Sequence, residues 1–142
     1  MKVRSDFVTN SSSSSFIIGY NSKEYDNPLD ALTAEKLTHN TPLWVLEDAV
    51  KLGEKADLDT LNELAELDWD FYRMARGAYG TKKRELEEER YLNIQTKMIR
   101  EKAEAKGFDK FISIEISDHT DCDLEHDIMP YLSCTLKRYS HH

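Results

Sequence analysis

Phe111-Ile112-Ser113-Ile114-Glu115-Ile116-Ser117 alternates without a break, placing Ile112, Ile114 and Ile116 on one face and Ser113 and Glu115 on the other. A period of two belongs to a strand that offers one apolar face to a core. Just upstream, Thr81 to Lys106 carries Leu86, Tyr91, Leu92, Ile94, Met98, Ile99 and Ala103 at helical spacings, and Gly107 closes the run. The change of period across Gly107 predicts a long amphipathic helix leading into a strand.

Three further runs favour strands. Ser133-Cys134-Thr135-Leu136-Lys137-Arg138-Tyr139 is β-branched or aromatic at alternate places, and is expected to pair with the strand before it. Phe7-Val8 and Phe16-Ile17-Ile18-Gly19-Tyr20 are β-prone and flank Thr9, Asn10 and the serines from Ser11 to Ser15, which predicts strand, polar loop, strand.

The middle of the chain is helical in pattern. Asn27 before Pro28 and Thr41 before Pro42 are capping side chains followed by a proline at a helix start. The second pair introduces Leu43 to Leu52, expected to turn Trp44 inward and to stop at a left-handed Gly53. Asp57 then caps a longer predicted helix whose Leu58, Leu61, Leu64, Leu67 and Phe71 share an apolar surface ending near Gly77 and Gly80. The cluster Trp69, Phe71 and Tyr72 belongs to the core in this reading, the alternative being an acidic binding face with Asp68 and Asp70. A short turn or helix from Asp123 to Met129 stops at Pro130. The fold class is α+β, a single domain over residues 1–142. A small sheet from the N-terminal and C-terminal strands is covered by a central helical region with one long amphipathic helix.

Composition bounds the function. The chain has 142 residues, 27 Asp and Glu against 19 Lys and Arg, and a net charge of −8. That balance repels phosphate backbones, so nucleic acid is disfavoured as a partner. No stretch approaches the roughly 20 apolar residues of a membrane span, and the opening residues lack the apolar core of an export signal. Two cysteines, Cys122 and Cys134, are too few for a stapled secreted domain, so the cytoplasm is expected.

The opening Phe7-Val8-Thr9-Asn10-Ser11-Ser12-Ser13-Ser14-Ser15-Phe16-Ile17-Ile18 resembles the FVTNSSSSSF signature that begins many small, otherwise dissimilar bacterial and phage proteins of unknown function. The resemblance implies a bacterial or phage accessory origin and assigns no catalytic residue. The residues themselves favour a solvated serine-rich turn. The functional alternative is an anion or partner site built from Asn10, Ser11, Ser12, Ser13, Ser14 and Ser15, or a segment modified by another enzyme.

Ligand-type side chains concentrate between Glu115 and Leu136, a stretch with no Lys or Arg. Cys122 and His126 are four residues apart, as on one helical turn, and Cys134 with His141 completes a four-donor set for a divalent metal. The spacing matches no standard zinc ribbon or finger. His119 beside Asp118 and Asp121 has the composition of a general base with an orienting carboxylate, but no companion nucleophile or glycine-rich phosphate loop accompanies it. The histidines at 141 and 142 are expected to be mobile, as chain ends usually are.

Tyr91, Met98 and Ala105 recur every seven residues, the spacing of a helix that pairs with a second copy of itself, although Leu92 and Ile99 widen the stripe toward ordinary intramolecular packing. Charge without a reaction motif favours a non-enzymatic protein-binding module or inhibitor with a basic partner. The alternative is a metal-binding protein or metal-dependent enzyme using the C-terminal donors.

Overall fold

The computed structural model describes residues 13–35, 43–74, 81–117 and 124–141. The elements in chain order are strand β1 (Ser13–Tyr20), helices α1 (Pro28–Ala34) and α2 (Leu43–Leu52), and strand β2 (Glu54–Asp57). A 3-10 turn (Leu61–Leu64), α3 (Trp69–Met74), α4 (Thr81–Lys106) and β3 (Lys110–Ser117) follow. The described chain closes through a π-helical turn (Leu124–Ile128), a 3-10 turn (Met129–Tyr131) and β4 (Thr135–Ser140).

The architecture is α+β, with one antiparallel sheet in the order β2-β3-β1-β4. β4 pairs with β1 and not, as expected, with the strand that precedes it in the chain. The reason lies in β1, which is buried along its whole length and needs a backbone partner on each edge. It pairs with β3 from Ser13↔Ser117 to Tyr20↔Lys110 and with β4 from Ser14↔Ser140 to Ile18↔Thr135. A register shift between Ile17 and Ile18 marks a bulge beside β4.

Alternation along β1 divides the interior in two. Phe16 and Ile18 join Ile112, Ile114 and Ile116 beneath Leu32 of α1, Val45 and Leu46 of α2, and Leu124 and Met129. Ile17 joins Phe111, Leu136 and Tyr139 beneath Leu61, Leu64 and the α4 residues Ile99 and Ala103. Each of these large buried side chains contributes about 1.5–3 kcal/mol over its exposed state.

Local chemistry sets the element ends. The Asn27 side chain accepts from the Asp30 amide at 2.9 Å, and Pro28 occupies the first turn, as expected. Gly107 adopts φ 73, and the Phe108 amide reaches back to the Ala103 carbonyl at 2.9 Å, closing α4. Gly53 is not left-handed. It is needed for space, since a Cβ there would lie 2.7 Å from Ile112 Cδ1 and 2.8 Å from the Ser113 carbonyl.

Several expectations are corrected. The single helix starting at Asp57 is replaced by β2, a 3-10 turn and α3. Asp57 Oδ1 accepts from the amides of Asp59 and Thr60, a local turn that ends β2 rather than starting a helix. Trp44 faces outward at 61% exposure, because α2 turns Val45 and Leu46 to the core. Of the aromatic cluster only Phe71 is core, packed 5.2 Å from the Tyr91 ring, while Trp69 and Tyr72 are exposed. On α4 the buried stripe is Tyr91, Leu92, Gln95, Ile99 and Ala103, and Leu86, Ile94 and Met98 face out. Tyr91 is therefore inside while Met98 and Ala105 are outside, so the sevenfold spacing does not form one free seam. The Phe7-Val8 strand, the Thr41-Pro42 start and the segment around His119 lie outside the described residues.

Candidate functional site: two buried glutamate clusters at the serine end of the sheet

Of the serines expected in a polar loop, Ser13, Ser14 and Ser15 begin the central strand. Ser13 is 9% exposed, and Ser14 and Ser15 have no exposed surface. Hydroxyls at such positions need partners, because an unmatched buried polar group costs about 1–3 kcal/mol. Alternation sends Ser14 to one face and Ser15 to the other, and each meets a buried glutamate.

On the first face Ser14 Oγ donates to Glu125 Oε1 at 3.2 Å and accepts from Arg138 Nε at 2.9 Å. Glu125 is fully buried, delivered by the π-helical turn that packs Leu124 under the sheet. Arg138 lies opposite Phe16 in the β4 register, its guanidinium 5.9 Å from the Phe16 ring centroid. Its second nitrogen is 3.0 Å from His126 Nδ1. Arginine only donates, so His126 Nδ1 must accept, which places the proton of a neutral ring on Nε2. That nitrogen is 3.2 Å from Glu125 Oε2, a contact not aligned as a hydrogen bond.

On the opposite face Ser15 Oγ donates to Glu66 Oε1 at 3.3 Å and lies 3.2 Å from His141 Nε2. The same Nε2 is 3.2 Å from Glu66 Oε1, and Ser113 Oγ donates to Glu66 Oε2 at 3.4 Å. Glu66 is 1% exposed and His141 5%. His141 is anchored because its amide bonds to the Ser13 carbonyl at 3.0 Å, extending the β4 edge, which corrects the expectation of mobility there; His142 lies outside the described residues. Beside the cluster, Tyr139 is fully buried, its hydroxyl lacks a hydrogen bond of good geometry, and burial raises its phenol well above the usual range.

Among the described residues, serine, histidine and carboxylate here do not form a nucleophile relay. In a relay the acid holds Nδ1 while Nε2 faces the nucleophile. In this cluster Glu66 and Ser15 crowd onto one nitrogen, and Ser15 is shut from solvent. Ser14 and Ser15 also donate to carboxylates and face opposite sides of the sheet, so they do not converge on an external anion. Asn10, Ser11 and Ser12 of the same candidate set lie outside the described residues.

The candidate metal donors are dispersed. His126 and His141 belong to clusters on opposite faces of β1, and Cys134 sits at the far end of the sheet, where its carbonyl accepts from the Gly19 amide at 2.9 Å. The Cys134 thiol is pushed up to about 12, first by burial and then by the negative charge of Glu35. Cys122 lies outside the described residues, and among the described residues no three His, Cys, Asp or Glu side chains gather as a metal site.

As site residues Glu66, Arg138 and Ser113 were missed in the sequence, whereas Glu125 falls within the stretch of ligand-type side chains. The available signal was the serine run itself, since continuing the Phe16–Tyr20 strand backward by alternation demands polar partners on both faces. No family model matches the chain, and comparison with curated proteins and with solved structures returns no match.

Proposed function

We propose that this chain is a non-enzymatic protein-binding module or inhibitor, a bacterial or phage accessory protein whose acidic surface docks on a basic face of another cytoplasmic protein. The observation that carries this reading is the outer side of α2. Trp44 is 61% exposed and Leu52 85% exposed, with Glu47 and Asp48 exposed on the same helix against the single base Lys51. An indole in water is a ready anchor for an interface, and carboxylates around it favour a cationic partner. The net charge of −8 steers the same choice at longer range and opposes nucleic acid. By contrast, Ser14 and Ser15 are bonded in the interior to Glu125 and Glu66.

Among the described residues no helix is long and apolar enough to cross a membrane. The test is capture from a bacterial lysate on immobilised protein at about 0.1 M and about 1 M salt, where the screening length falls from about 10 Å to about 3 Å. The expected result is one partner retained at low salt, lost at high salt, and lost with either Trp44→Ala or the pair Glu47→Lys, Asp48→Lys. No partner at either salt, or capture indifferent to salt and to these substitutions, overturns the reading.

A further inference from the structure

At the end of the sheet away from the serine clusters, a pocket of about 240 Å³ opens between β1, α1 and the start of β4. Its walls include Tyr20, Glu24, Tyr25, Glu35, Phe108 and Cys134. Small-molecule and cofactor pockets ordinarily measure about 300–1,000 Å³, so this one is sized for a single side chain.

The lining chemistry is specific. Glu35 Oε1 is fixed by the Ser133 hydroxyl and by the Cys134 amide at 3.3 Å, which holds the carboxylate in place on the wall. Neither Glu35 nor Glu24 forms an ion pair with a cation among the described residues. The rim already holds one ammonium, since Lys106 Nζ donates to the Ser133 carbonyl and lies 6.0 Å from the Phe108 ring centroid. Among the described residues, Lys106 offsets one of the two lining glutamates and leaves one negative charge in excess. Within residues 21–35, the turn and α1 that wall it, the acids Glu24, Asp26, Asp30 and Glu35 outnumber the one base, Lys23.

We infer that this pocket receives an arginine side chain from the protein partner, its guanidinium set against Glu24 and Glu35 and its plane against the tyrosine wall. This inference rests on the binding-module reading and names the group recognised. Arginine suits the site better than lysine because its planar fork matches carboxylates and stacks on aromatic faces.

The probe is butylguanidinium, titrated into the full chain and followed by amide chemical shifts of Gly19, Tyr20, Phe108 and Cys134, with the neutral isostere butylurea as control. Saturable shifts confined to these amides are expected for the cation and absent for the urea. Glu35→Gln keeps an acceptor for the Cys134 amide, and Glu24→Gln changes an exposed side chain with no partner among the described residues. Together they should weaken binding by about tenfold or more, the effect of removing a charge-assisted bond. If Glu35→Gln lowers the melting temperature, Glu24→Gln alone still reports, with a smaller weakening expected. No saturable shift, an equal response to butylurea, or unchanged affinity in Glu24→Gln and the double variant overturns the inference. Salt-sensitive capture of a partner through α2 that survives the double variant would remove the pocket while leaving the binding-module reading intact.

Discussion

Replacing Ser15 by alanine isolates one hydroxyl in the centre of the sheet. Ser15 has no exposed surface, and its Oγ is 3.3 Å from Glu66 Oε1 and 3.2 Å from His141 Nε2. A hydrogen bond to a charged group is worth about 1.5–3 kcal/mol net. Glu66 keeps Ser113 and His141 as neighbours, so the lower half of that range applies, about 1.5–2 kcal/mol. For a chain of this size the loss corresponds to a fall of about 5 °C in Tm. Urea denaturation should show a lower midpoint with an unchanged slope, because the surface exposed on unfolding is the same. Pairing Ser15→Ala with Glu66→Gln should give a coupling of at least about 0.5 kcal/mol, as groups in one network do. A loss below about 0.5 kcal/mol, or strict additivity of the two substitutions, would refute the placement of Ser15 against Glu66.

Gly19→Ala should destabilise by about 1–3 kcal/mol in urea, because the added Cβ would meet Phe108 Cδ2 at 2.6 Å and Leu136 Cδ1 at 2.9 Å. Gly107→Ala meets nothing within 4 Å and should cost only about 1–2 kcal/mol, from its left-handed backbone. A neutral Gly19→Ala would contradict the packing of β1 against Phe108. The Ser22 hydroxyl and amide donate to Asp109 at 2.6 Å and 2.8 Å and hold its carboxyl below the ordinary range. A lowered folded value stabilises above the unfolded pKa of about 4 and is lost as pH falls through the folded one. The urea midpoint of Asp109→Asn should therefore fall less steeply below about pH 4 than that of the wild type; parallel curves would exclude the contribution. Cys134, buried with its thiol raised, should resist alkylation at pH 8 until the protein unfolds, as read by peptide mass, and rapid native labelling would contradict its burial.

Much of the fold was legible because its signals are local. The alternation of β3, the helical spacing and Gly107 stop of α4, and the Asn27-Pro28 start of α1 each follow from a few neighbouring residues. What escaped depends on distant parts of the chain. Leu61, Leu64 and Phe71 fit a helical stripe equally well as a 3-10 turn and a short helix, and only the Asp57 turn and the buried Glu66 separate the two. Trp44 was misplaced because α2 has two apolar sides, and the sheet takes Val45 and Leu46. The serine clusters stayed hidden for the same reason. Glu66 and Glu125 lie 51 and 111 positions from the serines they meet, and no spacing rule reaches so far.

The most direct check is backbone hydrogen exchange along residues 13–20, followed amide by amide. If the serines are interior, those at Ser14 and Ser15 should exchange as slowly as those at Phe16 to Ile18, all being paired within a central strand. Rapid exchange at both serines beside protected neighbours would return them to a solvated loop, and the division between an interior that holds the serines and an acidic, aromatic binding surface would fail with it.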